Sequence, residues 1–244
     1  MNAPALGVGV LAVALVVARA AGGADDPRLR ATDPAELGYT YGVGGFVPEY
    51  EPPAPGTYAL PPIDTVVDHP LLDTRGRATT LFTLTRGRLA VVAFVYTTCV
   101  EAVGCPFSLA VLHRLDRTLA ADPTLRRHVT LLAVSFDPER DTPARMAEVR
   151  ALHAPETDWH FLTTRDVATL APLLADFDQP VAKLRFADGA WTGLFRHVLK
   201  VFVLDTAHRV RNVYSVGFLN PKLVLNDLRT LVLADADPPR RPPR

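Results

Sequence analysis

Apolar and polar positions along this chain fall into distinct periods, and each period predicts an element. Residues 89–96, LAVVAFVY, run apolar without a break and hold three valines and two aromatics. Such a run predicts a strand buried on both faces. Residues 129–136 repeat the signal. From Pro106 the period changes: Leu109, Leu112, Leu115 and Leu119 recur near helical spacing, and Pro106 suits a first helical turn. Thr142 as N-cap with Pro143 behind it predicts a second helix start, its inner face at Met146, Val149 and Leu152. Residues 159–162 read as a short strand. Residues 166–177 read as a helix showing Leu170, Leu173, Leu174 and Phe177. Residues 197–204 and 210–214 read as two strands joined by a turn at 205–209, and a last helix runs from about 221 to 233. Ahead of all these, Leu71-Leu72 and Thr79-Thr80 around Gly76 predict a short hairpin.

From residue 89 the order β-α-β-α-β-α-β-β-α predicts an α/β fold with a mixed sheet flanked by helices. One domain over residues 56–235 accounts for it, with the hairpin as its N-terminal extension. The ends lie outside that domain. Residues 3–18 carry no charge, and Ala18-Arg19-Ala20 resembles a signal-peptidase site, so residues 1–24 are expected to be a signal peptide or membrane anchor. Either places the rest outside the cytoplasm, in the periplasm or anchored facing it. Residues 25–62 are rich in proline and glycine and read as a tether or extended arm, with the linker proper over 25–55. Residues 236–244 form a Pro/Arg-rich tail.

Composition narrows the function. The 244 residues are 48% hydrophobic and 21% charged, which is ordinary for a globular chain. Lys plus Arg and Asp plus Glu both number 26, so there is no electrostatic footprint for nucleic acid. Two cysteines exclude a multi-disulfide scaffold and a four-cysteine zinc site. No Gly-x-Gly-x-x-Gly or Walker loop supports a nucleotide site, and there is no Gly-x-Ser-x-Gly elbow.

The candidate chemistry sits between the first buried strand and the helix after it. Cys99 and Cys105 lie there, at the carboxyl end of a strand, where α/β sheets place ligands. A helix N-terminus favours thiolate, the form that attacks disulfides and binds soft metals. Residues six apart on a helix lie about 240° round its axis. Cys99 is therefore expected on the loop, with Gly104 turning the chain back so that both thiols converge. A structural disulfide and two unrelated buried cysteines are the plainer readings. Two thiolates suit Cu(I), and an imidazole completes a three-coordinate site. Of seven histidines, His113 is expected to be exposed. His128, His153 and His208 fall in loops or helix ends, His69 in a turn, and His160 in a short strand with no partner suggested. His197 differs, because it follows a Gly-rich loop and opens an apolar strand. On residues alone it is either a packed strand-end histidine or a third ligand.

Three segments together resemble the Sco/SenC family of copper-binding, thioredoxin-like proteins. They are VAFVYTTC at 92–99 with Cys105-Pro106, LAVSFDPERDTP at 132–143, and His197 ahead of VFVLD at 201–205. The likeness covers about residues 60–235. This chain has two more residues between its cysteines than the family's Cys-x-x-x-Cys, so the family's i, i+4 arrangement does not carry over unchanged. The resemblance implies a thioredoxin-like fold and a copper ion, Cu(I) or Cu(II), held by Cys99, Cys105 and His197. It implies a copper chaperone for the dinuclear copper site of cytochrome c oxidase, with an oxidase subunit or another copper chaperone as partner. Asp137 matches the Asp of the second motif, where a loop or capping role is expected. The alternative is a thiol–disulfide reductase or redox sensor, with Cys105 attacking and Cys99 resolving.

Overall fold

A computed structural model of the chain describes residues 41–42, 45–46, 50–101 and 104–236. The predicted leader, most of the linker and the tail fall outside the described residues. In chain order the elements are β1 (Tyr41–Gly42), β2 (Gly45–Phe46), β3 (Asp64–Thr65), β4 (Pro70–Leu72), β5 (Ala78–Thr80), α1 (Leu81–Thr85) and β6 (Leu89–Val95). There follow α2 (Cys105–Ala121), α3 (Pro123–His128), β7 (Val129–Ser135), α4 (Pro143–His153), β8 (Trp159–Leu162) and α5 (Val167–Asp176). The chain closes with β9 (Val181–Arg185), β10 (Trp191–His197), β11 (Val201–Leu204), β12 (Arg209–Tyr214) and α6 (Pro221–Ala236).

Six strands make the central sheet, in the order β3-β12-β11-β6-β7-β8. β6 pairs parallel with β7 and β7 with β8, whereas β11 runs antiparallel to β6 and β12 to β11. Every residue of β6, β7 and β11 is buried, as unbroken apolar runs require of strands covered on both faces. β4 and β5 form the expected hairpin, and Gly76 takes the positive φ of its turn. Thr142 caps α4 by accepting from the Arg145 amide, with Pro143 in its first turn.

Residues 50–58 do more than link. Gly56 donates its amide to Thr230, Asn226 reaches the Pro53 carbonyl at 2.9 Å, and the Tyr58 hydroxyl meets the Asp227 carboxylate. Asp227 is buried and also receives Tyr214 and Asn212, so α6 holds this arm down at three residues, Asn226, Asp227 and Thr230.

Two expectations need correction. Leu152 is 84% exposed. From Met146 the inward positions on α4 fall at Val149 and His153, three and seven residues on, so Leu152 is turned off the core. Residues 181–197 form the hairpin β9–β10 and not a loop leading into a strand. His197 is accordingly the last residue of β10, separated from β11 by residues 198–200. α3 was likewise unanticipated, and Asp122 caps it by accepting from the Thr124 and Leu125 amides.

Candidate metal centre

Three elements converge at the carboxyl end of β6. Tyr96 ends the buried run, and a turn in which the Cys99 amide donates to the Tyr96 carbonyl swings Cys99 out of the sheet. The chain then turns back through a Gly104 amide bond to the Glu101 carbonyl, and Cys105 opens α2. A Cβ on Gly104 would lie 3.2 Å from the Cys99 sulfur and from two atoms of Glu101. Glycine is thus what permits the loop to close on the thiol. The expected loop-plus-helix-start arrangement is the one observed.

Cys105 is 2% exposed and Cys99 is half-buried; neither is in a disulfide. The Tyr96 amide points at the Cys105 sulfur at 3.4 Å. His197 reaches in from β10, its Nε2 3.9 Å from the Cys105 sulfur. Donor atoms of Cys99, Cys105 and His197 all lie within 4.8 Å of one another. Tyr96 and Phe136 frame the imidazole, with ring centroids 5.7 and 5.1 Å from it. Besides this pocket, the thiols border a groove of about 960 Å³ between α2 and α4, lined in part by Leu109, His113 and Val149.

The two thiols differ electrostatically. A hydrogen bond from the Cys105 thiol is the main influence on Cys99 and pulls it down to about 3; burial opposes this and His197 assists. Cys105 is pushed up, first because it donates to Cys99 and then by burial. Tyr96 is pushed up by burial and by its hydrogen bond to Cys99. The sequence placed the lower value on Cys105, from its helix start. The hydrogen bond to Cys99 and burial outweigh the helix end there, so Cys99 is the more readily ionised of the two.

Two aspartates of the second motif brace the site. Asp141 is 0% exposed and accepts the Thr97 amide at 3.0 Å, the Thr97 hydroxyl at 2.5 Å and the Ser135 hydroxyl at 2.6 Å. It therefore ties the segment leading to Cys99 to the end of β7. Asp137 is buried and pairs with Arg140, and its carbonyl accepts the Arg140 and Asp141 amides. Burial raises the Asp137 carboxyl, against the pull of Arg140.

The other histidines lie away from the thiols. His69 is buried and bonds Asp176 at 2.9 Å, and His160 meets Asp158 at 2.9 Å. His208 stacks on Phe82 and His128 is exposed at the end of α3. His113, expected to be exposed, is half-buried against His153 and Trp159.

The SCO1/SenC family model matches residues 60–233, a span that includes all three donors. The chain belongs to the SCO1/SenC family. Among solved structures it is similar to copper-bound ScoI of Bradyrhizobium japonicum, at 25% identity over 68% of this chain and 99% of that one, TM-score 0.56. It is similar in fold to apo Sco1 of Thermus thermophilus, at 24% identity over 72% and 95%, TM-score 0.58. A SCO1/SenC family lipoprotein of Bacillus anthracis shares the fold at 18% identity over 72% and 99%, TM-score 0.60. By sequence comparison the chain matches no curated protein. The mixed sheet flanked by helices is the thioredoxin-like fold of these Sco structures.

Proposed function

We propose that this SCO1/SenC protein is a copper chaperone that holds copper through the sulfurs of Cys99 and Cys105 and the imidazole of His197. The observation that carries the reading is the convergence of these donors within 4.8 Å from a loop, a helix start and a separate hairpin. Soft thiolates select Cu(I), and one imidazole completes a three-coordinate set that also accepts Cu(II). The donor chemistry therefore fits copper. Cys99 is already a thiolate, and binding would release the Cys105 proton.

The proposed task is delivery of copper to the dinuclear copper site of cytochrome c oxidase, directly to an oxidase subunit or through another copper chaperone. Cys99 is the more exposed sulfur and the natural point for ligand exchange with acceptor thiols. The proposed location is extracytoplasmic, supported by the lipoprotein relative. Among the described residues no helix is long and apolar enough to cross a membrane.

Reduced protein would be loaded with Cu(I) under anaerobic conditions, desalted, and assayed for copper per chain. Roughly one copper per wild-type chain is expected, with loss in Cys99→Ser and Cys105→Ser and weakening in His197→Ala. A wild type that retains no copper but cycles its thiols to a disulfide would overturn the reading in favour of a thiol–disulfide reductase. The low value of Cys99 is what favours that second reading.

A further inference from the structure

His197 sits on a hairpin that, among the described residues, has no backbone pairing with the central sheet. β9 and β10 form their own two-stranded sheet. A hairpin alone is marginal in water, so side chains must dock it. Phe195 is its one buried residue, 6% exposed, and wedges between Tyr96 and Phe136 at 5.2 and 5.4 Å. The second attachment is cationic. Arg140, on the loop between β7 and α4, places its guanidinium 4.3 Å from the Trp191 ring centre and 5.7 Å from that of Phe195. Its Nε pairs with the buried Asp137, while its Nη2 is buried and meets no hydrogen-bond acceptor among the described residues. The guanidinium carbon lies over the Trp191 ring, the geometry of a cation–π contact. Lys183 on β9 lies 4.5 Å from the same ring and pairs with Glu139 of the Arg140 loop at 2.6 Å.

The hairpin is shaped for this contact. Between Trp191 and Phe195 the register slips, with four steps on β10 facing two on β9, from Arg185 to Lys183. Gly193 takes φ +85 within that bulge, and the Trp191 indole N–H closes it on the Leu194 carbonyl at 2.9 Å. The indole is thereby fixed in the hairpin with a face toward Arg140. His197 follows two residues after Phe195 on the same strand.

We propose that Trp191 and Arg140 form a latch that positions His197 against the two sulfurs. Both are positioning residues, since neither is among the converging donors. The metal arm of the test rests on the copper reading, and the exchange arm does not.

In metal-free Trp191→Ala, amide hydrogen exchange in β9 and β10 should accelerate while β6 and β7 stay as protected as in the wild type. Trp159, in the core, gives an independent fluorescence check that the domain is folded. In Cu(I) competition with a chromophoric chelator, Trp191→Ala should weaken binding by about 10- to 100-fold, as loss of an outer-shell partner does. Trp191→Phe, which keeps a ring face, should recover much of this. In a His197→Ala background the same Trp191→Ala change should cost about twofold or less, because the group it positions is gone. Unchanged exchange in β9 and β10 would overturn the latch. So would an equal loss of affinity with and without His197, which marks a general structural effect. A wild type that binds no copper would overturn the copper reading and leave the exchange result to decide the latch.

Discussion

The Nε2 of His197 stands 3.9 Å from the sulfur of Cys105, although 92 residues separate them in sequence. Cys105 is fixed by the start of a core helix, and His197 is delivered by a hairpin outside the main sheet. The same contact links a rigid part of the molecule to one held only by side chains.

Cys99 owes its low value chiefly to the hydrogen bond from Cys105. Alkylation of metal-free protein by iodoacetamide should therefore modify Cys99 at a nearly constant rate from about pH 5 upward, well below the ordinary cysteine value near 8.5. Cys105 should resist. In Cys105→Ala the Cys99 profile should move toward the ordinary value. Mass spectrometry over a pH series reads both; a Cys99 rate that still rises through pH 8 in the wild type would contradict this.

Asp141 satisfies three donors in a buried position. Asp141→Ala leaves the Thr97 amide, the Thr97 hydroxyl and the Ser135 hydroxyl without this acceptor. An orphaned buried group costs about 1–3 kcal/mol, which applies to the Ser135 hydroxyl, while the half-buried Thr97 groups can turn to water and lose less. A loss of about 2 kcal/mol in urea unfolding is expected, with Asp141→Asn milder because it keeps an acceptor oxygen.

Asp205 closes the turn between β11 and β12. It accepts the amides of Ala207 and Arg209 at 2.9 Å, and Arg209 and Arg211 side chains at 2.7 and 2.9 Å. Burial works to raise its carboxyl, but these bonds prevail and lower it. A folded value below the unfolded value of about 3.9 means fewer protons bound in the folded state. Its contribution is complete above that value and fades as pH falls through the lower folded one. Melting temperatures of the wild type should drop below about pH 4, and Asp205→Asn should lose stability at neutral pH with a flatter acid limb.

Leu152 tests the phase of α4. Because it is exposed, Leu152→Ser should change stability by about 0.5 kcal/mol or less. Met146→Ala, on the buried face, should cost about 2–5 kcal/mol in the same denaturant titration.

The buried strands, the helix starts and the two thiols were legible because each leaves a local mark, whereas His197, which ends β10 and does not open the next strand, was singled out by the family resemblance. Unbroken apolar runs announce β6 and β7, Thr142-Pro143 announces α4, and Cys105-Pro106 marks the first turn of α2. The hairpin β9–β10 left none. Only Phe195 in it is buried, and the bulge at Gly193 breaks the alternation that would have identified β10. α3 has six residues, too few to show an apolar face. Arg140, Asp141 and Trp191 were missed for another reason. Their roles are contacts between segments distant in the chain, and a charge in a loop or a ring at a strand end carries no spacing that foretells its partner.

The turn through Gly104 has one more consequence. Cys99 is placed by the end of a strand and Cys105 by the beginning of a helix, so the residues between them need only be enough to span that gap. A sequence filter that insists on three intervening residues would discard this chain, although its sulfurs meet the same imidazole. Ligand sets of this kind are better sought by the elements that present them, and the count of residues in the intervening loop is free to drift.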